Sequence, residues 1–382
     1  MVGRLLLLVG ALVLAVAGAL AENAQQDLSI PTVPSGYLLM VVAHVPAARE
    51  LVATPNGDVI VGTESNDVYI VPQAESSPHD AHVFVHLNDS YAAGLALADG
   101  ELFVGTQFGI WRLPYASGDQ RARVTPVEIA HVRPSGISRN HHTTSVAVAD
   151  GRLYAGIGSS CDACDPDLDA TRATVQELAP DGKAMHSKAI RIRNPIALAE
   201  NPATRSVWAG VAGQDELPHG HPYEIFDPVS LHGGTVDYGW PVCYDDHRAV
   251  AAPHDCSSQT LPRVVFPAYA TPIGVAFYRS DQKGRFAFSA PYSGGAFVTL
   301  HGSWHVPPVP PRVVFVPLTG DTPKTAVNWN DPTVQWREFV GGFQLENGER
   351  IGRPSGVAIG SEGSLFVADD KAGVIYRIRP RR

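Results

Sequence analysis

Two adjacent histidines, His141 and His142, stand in the stretch SRNHHTTSVAV, just before residues that predict a β-strand. Imidazole exchanges protons near neutral pH, so a histidine at the edge of a site can take a proton from a reacting hydroxyl group. Neighbouring residues of an extended chain point in opposite directions, so only one of the two can face a given site. The alternative is that both are polar loop residues, and the elements around the pair decide between these interpretations.

Other common catalytic patterns are missing from the sequence. It contains no G-x-S-x-G, no H-E-x-x-H and no Walker-type loop, so hydrolases of those types are unsupported. His219 and His221, in HGH, have no third partner at the spacing of a metal site, which predicts ordinary loop histidines.

A recurring phrase organises the chain: an alternating apolar segment, a polar turn with glycine, and a second segment rich in Val, Phe, Tyr or Trp. Turns such as ADG and SEG supply the positive φ angles of tight hairpins, so each copy predicts one antiparallel hairpin. Six such hairpins without a long amphipathic helix between them predict an all-β fold, a six-bladed β-propeller. A β-sandwich or two stacked β domains are the alternatives. The copies begin at Leu51, Gly94, Ser145, Ala197, Gly274 and Gly356.

The N-terminus and the charge indicate an exported protein with a small ligand. Arg4, the apolar run from Leu5 to Leu20 and the sequence ALA at residues 19–21 are typical of a signal peptide over residues 1–21. The apolar run, about 16 residues, is shorter than the roughly 20 that span a bilayer, which argues against the alternative of a retained membrane anchor. Its removal leaves 28 basic residues against 38 acidic ones, a formal charge of −10, which argues against nucleic acid or an anionic membrane as partner. We expect a periplasmic or secreted protein with no membrane span after cleavage. Residues 22–42 are interpreted as a lead-in, and residues 43–382 as the propeller.

Several phrases together resemble the pyrroloquinoline quinone (PQQ) dependent sugar dehydrogenases, especially the soluble glucose dehydrogenase and sorbosone dehydrogenase-like branch. They are HHTTSVAVADGRLYAGIGSSCDAC, IRNPIALAENP, GQDEL, DYGWPVCY, GVAFY with HGSW, and GRPSGVAI with GSLFVADD. Each phrase alone is weak, but their number and order extend the resemblance from about Ala43 to the end of the chain. The resemblance implies a six-bladed propeller that binds PQQ and calcium at the channel mouth and oxidises a sugar.

The resemblance also implies roles for individual residues. His141 matches the base that takes the hydroxyl proton as hydride leaves the sugar carbon, with His142 as its neighbour. Arg193 and Asn194, in IRNP, match the pair that contacts the quinone oxygens, where negative charge develops. Arg353, in GRPSG, matches an arginine that binds the cofactor.

Further cofactor and metal residues follow from the same resemblance. Arg312 stands in place of a lysine that pairs with the cofactor, and Trp304 could stack on the flat quinone or pack in the core. The carbonyl groups of Gly213 and Gln214 match calcium ligands, because calcium prefers oxygen donors. The next two residues, Asp215 and Glu216, are either part of that metal site or of a solvated loop or a second ion site.

Three positions depart from the family pattern and put cofactor binding in doubt. Thr144 stands where many relatives have arginine, Ala93 where a polar residue that faces the cofactor is usual, and Ser355 where a second arginine is often found. These departures favour an alternative function, a noncatalytic propeller that binds a ligand or a protein. The leading hypothesis remains a dehydrogenase that passes electrons from a sugar to an external acceptor. A calcium-dependent lactonase on the same architecture is a third hypothesis.

Four cysteines in an exported chain favour disulfides over metal thiolates. Cys243 and Cys256 are close enough in sequence to form one bridge. Cys161 and Cys164, in CDAC, could close a small loop, act in redox chemistry, join the other pair in a zinc site, or remain free thiols.

Overall fold

The structure is a computed structural model that describes residues 31–134, 141–215, 217–218, 220–231, 233–305 and 307–381. These residues form 28 β-strands and a single 3-10 turn, Val229–Leu231. In the part of the chain that is described, no helix is long and apolar enough to cross a membrane. The predicted signal peptide at residues 1–21 lies outside the described residues.

The strands form six small antiparallel sheets, the blades of a propeller, and the prediction of a six-bladed β-propeller is confirmed. The first strand, β1 (Tyr37–His44), belongs to the last blade. Blade 1 is β2 (Ala48–Ala53), β3 (Val59–Thr63), β4 (Asp67–Val71) and β5 (His82–His86). Blade 2 is β6 (Gly94–Ala98), β7 (Glu101–Gly105), β8 (Gly109–Pro114) and β9 (Val127–His131). Blade 3 is β10 (Thr144–Ala149), β11 (Arg152–Ile157), β12 (Thr174–Leu178) and β13 (His186–Ile190).

The second half of the chain builds the other three blades. Blade 4 begins with β14 (Asn194–Glu200), β15 (Val207–Ala212) and β16 (Glu224–Asp227). Three short strands then follow. Strand β17 (Val236–Asp237) extends blade 3, whereas β18 (Cys243–Tyr244) and β19 (Arg248–Ala249) pair with each other. Strand β20 (Val264–Phe266) completes blade 4. Blade 5 is β21 (Pro272–Tyr278), β22 (Gly295–Leu300), β23 (Arg312–Thr319), β24 (Thr322–Pro323) and β25 (Arg337–Val340). Blade 6 is β26 (Pro354–Ile359), β27 (Leu365–Asp369), β28 (Val374–Pro380) and β1.

The ring is closed by the two ends of the chain. Strand β1 pairs antiparallel with β28, from Tyr37 opposite Pro380 to His44 opposite Val374. Residues 37–42, which the sequence interpretation placed in a lead-in, therefore form part of the outer strand of blade 6. The closure requires no link other than backbone hydrogen bonds between two strands.

The turns within the hairpins have the geometry that the sequence predicts. Asp99 and Gly100 both have positive φ, 53° and 78°, and join β6 to β7 as a two-residue loop. Asp150 and Gly151, with φ of 47° and 68°, do the same between β10 and β11. Positive φ at both central residues is the requirement of the tight turns that match the twist of paired strands.

The hydrophobic core is divided into six clusters, each between two adjacent blades. The cluster between blades 2 and 3, for example, packs Phe103 and Ile110 against Val146 and Leu153. No blade buries its apolar faces alone, so each is stabilised by its two neighbours. Six interfaces for six blades is the count that a closed ring requires.

Glycines of the second strands let neighbouring blades approach. A Cβ at Gly105, the last residue of β7, would lie closer than 3.0 Å to the backbone of Thr144 in the next blade, and one at Gly156 would meet Pro195 equally closely. Any larger residue would push the blades apart at the end where the innermost strands begin. The glycine that recurs in FVG and YAG is therefore a packing requirement of the channel.

Both cysteine pairs form disulfides, Cys161–Cys164 and Cys243–Cys256. The bridge predicted between Cys243 and Cys256 is confirmed, and for Cys161 and Cys164 the structure selects the small loop from the alternatives. Cys243, His254 and Cys256 also lie close enough together to hold a metal. Because the two cysteines are bonded to each other, they offer no thiolates to a metal there.

Candidate active site

The innermost strands of the six blades surround a central channel and all begin at the same end, which we call the channel mouth. The first residues of these strands are Ala48, Gly94, Thr144, Asn194, Pro272 and Pro354. A small cavity of about 10 Å³ lies in the mouth and is lined by residues of all six blades, among them Arg49, Ala93, Thr143 and Ser355. Residues far apart in sequence therefore meet at this point, as loops do at one end of a propeller.

Glu50 lies where this cavity joins the channel below it. Its Oε2 accepts a hydrogen bond of 3.1 Å from the amide of Leu95. Burial raises the pKa of Glu50 to about 8, against the opposing effects of the Leu95 and Ser145 hydrogen bonds and the Arg49 charge. The carboxyl group is surrounded by protein although it faces the channel, and we expect it to be protonated at neutral pH.

We expect the variant Glu50→Gln to become more stable relative to the wild type as the pH rises. The folded pKa of about 8 lies above that of an unfolded glutamate, about 4.3, so the folded wild type loses stability between these two pH values as the unfolded chain ionises first. Glutamine cannot ionise and lacks this loss. Urea unfolding at intervals from pH 4 to pH 9 measures the difference. In the exposed control, Glu346→Gln, the free energy of unfolding should depend on pH as it does in the wild type. The same pH dependence in Glu50→Gln would contradict the prediction.

His141 lies three residues before β10 and has a positive φ of 53°. Its Nδ1 lies 2.7 Å from the carbonyl oxygen of Ser159, so Nδ1 carries the proton and donates it. Burial, the charge of Arg193 and the charge of Arg172 lower the pKa of His141 to about 3, although the bond to Ser159 opposes this shift. The imidazole is therefore neutral at physiological pH, and Nε2 is the atom with a lone pair.

His142 points elsewhere. Its ring stacks on Tyr91, with centroids 4.9 Å apart, and its Nδ1 lies 3.1 Å from the side-chain nitrogen of Gln107. These are contacts of blade 2, whereas His141 contacts the loop after β11 in blade 3 and the start of blade 4. The pair is split between two neighbourhoods, as expected, but the reason is the left-handed turn at His141, with its positive φ of 53°, and not the alternation of an extended strand.

Arg193 and Asn194 stand beside His141. A Cβ at Gly158 would lie closer than 3.0 Å both to Oδ1 of Asn194 and to the His141 side chain, so these two side chains converge on a glycine that leaves them room. Asn194 is buried at the start of β14, and the amide of Ser159 donates to the carbonyl oxygen of Arg193. The structure thus brings His141, Arg193 and Asn194 together at the channel mouth.

The Cys161–Cys164 loop holds Arg193 in position. Nη2 of Arg193 donates to Oδ1 of Asp162 at 2.7 Å and to Oδ2 of Asp215 at 3.0 Å, and Nε donates to the carbonyl oxygen of Asp162. Oδ1 of Asp162 also accepts the amide of Asp215 at 2.8 Å. With only 7% of its side chain exposed, Arg193 is a buried cation with two carboxylate partners, which fixes the orientation of its guanidinium group.

Gly213, Gln214 and Asp215 follow β15 directly and border Arg193. The amide of Gly213 donates to the buried carboxyl group of Glu224 at 2.5 Å. Burial raises the pKa of Glu224 to about 7, while the hydrogen bonds from Gly213 and Thr271 and the charge of Arg193 lower it. The oxygen-rich character of this segment suits a hard cation. Glu216, the fourth residue assigned to the metal, lies outside the described residues.

Arg353 belongs to a second cluster at the mouth, on the side of blades 6 and 1. Asp370, whose side chain is 1% exposed, accepts hydrogen bonds from Nε of Arg353 at 2.7 Å, from Nη1 of Arg49 at 3.1 Å and from Nε2 of His301 at 2.9 Å. Burial lowers the pKa of His301 to about 4 despite its bond to Asp370, so His301 donates as a neutral ring. The cluster holds two arginines on one buried carboxylate.

Arg312 and Trp304 are placed differently. Nη1 of Arg312 pairs with Oε2 of Glu338 at 2.9 Å, and its guanidinium group lies over the ring of Trp336. Both partners belong to the outer part of blade 5, although Arg312 itself begins β23 at the mouth end, opposite Leu300, which pairs with Pro272. Trp304 is 77% exposed and stacks on His305, which in turn stacks on Tyr269. Trp304 is therefore not a core residue.

The structure adds residues that sequence reasoning missed. Asp162, Asp370, Glu50 and Glu224 each place a carboxyl group beside one of the site residues. The phrases CDAC and VADD had been singled out for the resemblance, but the acidic residues in them had not. The signal that could have indicated them is an acidic residue directly beside a turn at the mouth end of a strand.

Comparisons with known proteins agree with this fold. The family described as TrAA12-like matches residues 225–381 of the chain. The holo pyranose dehydrogenase PQQ domain from Coprinopsis cinerea has a TM-score of 0.77 at 14% identity, over 92% of this chain and 97% of that one. A calcium structure of a Trichoderma reesei carbohydrate-active enzyme of family AA12 has a TM-score of 0.75 at 17% identity, over 94% and 99%. The PQQ-bound aldose sugar dehydrogenase from Streptomyces coelicolor has a TM-score of 0.63 at 16% identity, over 92% and 100%. The resemblance to the PQQ-dependent sugar dehydrogenases that the sequence phrases indicate is confirmed at the level of the fold.

Proposed function

We propose that the protein is a PQQ-dependent dehydrogenase that oxidises a sugar, an aldose or a sugar-derived aldehyde. The observation that carries the proposal is the neutral imidazole of His141 beside Arg193 and Asn194, with its Nδ1 proton donated to Ser159 and its Nε2 lone pair without a hydrogen-bond partner among the described residues. An oriented base beside a cation and an amide donor is what proton removal from a hydroxyl group requires.

The residues at the mouth fit PQQ, a planar quinone with three carboxylates. Nε of Arg353 donates a hydrogen bond to Asp370, while its two Nη atoms have no partner among the described residues. The side chain is 38% exposed. Such a fork suits a carboxylate. Nε and Nη2 of Arg193 donate to Asp162 and Asp215, and one Nη1 hydrogen donates to the carbonyl oxygen of Ala212, so the donors that remain for the quinone oxygens are the second Nη1 hydrogen and the amide group of Asn194.

Calcium fits the segment from Gly213 to Asp215. Carbonyl groups of Gly213 and Gln214 would be its protein ligands, with the Asp215 carboxylate close by. Asp162 and Asp215 place two carboxylates around the single charge of Arg193, so a divalent cation would find excess negative charge there.

When bound, PQQ with calcium would supply the acceptor for the hydride of the sugar carbon. The chain's own residues would do the rest. His141 would take the hydroxyl proton at Nε2, and the Ser159 carbonyl would keep its ring in the required tautomer. The electrons would then leave to an external acceptor.

The second candidate function is a noncatalytic propeller that binds a ligand or a protein. Two of the sequence departures support it. Ser355 donates its hydroxyl proton to the carbonyl oxygen of Ala48, and Ala93 is buried, so neither offers the cofactor a polar group of the usual kind. The pairing of Arg312 with Glu338 also occupies part of its guanidinium group.

Export is part of the proposal. The signal-like residues 1–21 support it, and so do the two disulfides, because such bonds persist in oxidising compartments. A periplasmic or secreted location would also give the enzyme direct access to external sugars.

Titration of the purified chain with PQQ, with and without calcium, tests the proposal. We expect calcium-dependent binding at micromolar or lower concentration, followed by a change in the visible absorbance of the bound cofactor when aldoses are added. Failure of PQQ to bind in the presence of calcium would favour the noncatalytic propeller. Binding without reduction by any sugar of a broad panel would remove the assigned substrate class.

A further inference from the structure

An open cleft lies on the outer side of Arg193, between blades 3 and 4. It is separate from the cavity at the mouth but shares a wall with the candidate active site, because Arg193, Gly213 and Gln214 line it as well. Its other walls carry five aromatic rings. We call it the aromatic cleft, and its rings are those of Tyr223, Tyr238, Trp240, Tyr244 and Trp329.

The rings of the aromatic cleft are held in place. The ring planes of Tyr223 and Trp329 are parallel, with an angle of 3° between them. The Tyr223 hydroxyl group donates to the carbonyl oxygen of Trp329 at 3.2 Å. The indole nitrogen of Trp240 donates to the carbonyl oxygen of Asp162, so this ring is tied to the loop that positions Arg193. Fixed aromatic faces lose little entropy when a ligand packs on them.

The charged groups of the cleft already have partners. Arg191 pairs with Asp237 at 2.7 Å, Arg193 with Asp162 and Asp215, and the buried carboxylate of Asp245 with Nδ1 of His221 at 2.6 Å. A ligand that carried a net charge would therefore find no counterion in this wall. The cleft favours a neutral molecule.

One polar atom in the cleft wall lacks a partner. Oε1 of Gln259 is buried and accepts no hydrogen bond from the described residues, while Nε2 of the same side chain donates to the carbonyl oxygen of Tyr238. A buried acceptor of this kind is costly unless a ligand or water donates to it. The missing group is a donor such as a hydroxyl.

We propose that the aromatic cleft binds a neutral pyranose ring, one that belongs to the same oligosaccharide as the ring being oxidised. Pyranoses present C–H faces to aromatic rings and hydroxyl donors to an acceptor such as Gln259. Arg193, Gly213 and Gln214 border both the cleft and the candidate active site, so a ring bound in the cleft would be separated from the reacting ring by this one layer of residues. The inference rests on the proposed function, since it extends the substrate from a single sugar to a longer one.

Calorimetric titration of the whole chain, first without cofactor and then with PQQ and calcium, tests the cleft. The probes are glucose, cellobiose, cellotriose, maltotriose and phenol. We expect at least one trisaccharide to bind about 10-fold more tightly than glucose, as one aromatic contact of roughly 1.4 kcal/mol would give. We expect Trp329→Ala to remove this advantage, and Gln259→Met, which keeps the volume of the side chain, to reduce it.

Trp336→Phe, on the outer part of blade 5, is the control and should bind as the wild type does. Equal affinity for glucose and the trisaccharides would overturn the inference, and so would binding of phenol alone or an unchanged advantage in Gln259→Met. Gln259→Met decides the matter if Trp329→Ala fails to fold. Reduction of PQQ by sugars, followed in parallel, separates the two proposals. Reduction without a trisaccharide advantage refutes only the cleft. Cleft binding without reduction refutes the dehydrogenase, and with it the link to a ring being oxidised, but leaves the cleft as a pyranose site.

Discussion

Replacement of His141 by alanine is expected to slow the reduction of bound PQQ by sugar about 100- to 10,000-fold, the usual contribution of a general base. PQQ affinity should change little, because the cofactor contacts proposed here are made by Arg193, Asn194 and Arg353. Single-turnover absorbance of the bound cofactor measures the rate, and equilibrium titration measures the affinity. Since the pKa of His141 is about 3, its own protonation should not limit the rate between pH 5 and pH 8.

His142→Ala is the matched control. This side chain stacks on Tyr91 and contacts Gln107, so its loss should alter the rate far less than the loss of His141 does. If His142→Ala abolished reduction while His141→Ala retained it, the assignment within the pair would be reversed. If both variants reduced PQQ at the wild-type rate, neither histidine would be the base.

Asp370→Ala is expected to destabilise the fold by about 3–5 kcal/mol, the usual result of leaving a buried charge without its partner. Arg49 would keep only the more exposed Glu64, while His301 and Arg353 would lose the carboxylate that orients them. Urea unfolding at pH 7 measures the loss. Asp281→Ala, which breaks an exposed pair with Arg279, is the control and should leave stability nearly unchanged.

The effect of Asp370 should fade in acid. Burial opposes the ionisation of Asp370, but the hydrogen bonds from His301 and Arg353 and the charge of Arg49 outweigh it and hold the pKa of Asp370 well below its usual range. A depressed folded pKa gives stability that is present above the unfolded value, about 3.9, and is lost as the pH falls toward the folded one. The difference between wild type and Asp370→Ala should therefore shrink below about pH 4. A difference that stayed constant would show that packing, and not charge, is what Asp370 contributes.

The fold could be predicted from the sequence because its signals are local. A turn such as Asp99-Gly100 and the strands beside it lie within a dozen residues, and the same signal recurs in each blade. The meeting of His141 with Arg193 and Asn194 required the family resemblance, because these residues come from two blades. Nothing in the spacing alone would have joined them.

The rest of the site depends on contacts that no local pattern records. Asp370 binds Arg49, from the opposite end of the chain, and this pairing exists only after the ring has closed.

The contact of Arg312 could not be predicted for a different reason. The residues after it, Val313 to Val316, are buried on both faces, so no alternation indicates the direction in which Arg312 points. Its partner Glu338 is set by the pairing of β23 with β25.

The pairing of β1 with β28 has a consequence for the order of events during synthesis. Blade 6 carries Arg353 and Asp370. Its outer strand, β1, is the first strand of the propeller to leave the ribosome, whereas the strand it pairs with, β28, is the last of the described strands. A nascent chain cannot complete the Arg49–Asp370 contact until residue 370 has been synthesised and a loop of more than 300 residues has closed. Cofactor capture through Arg353 would therefore select finished molecules and leave truncated ones empty.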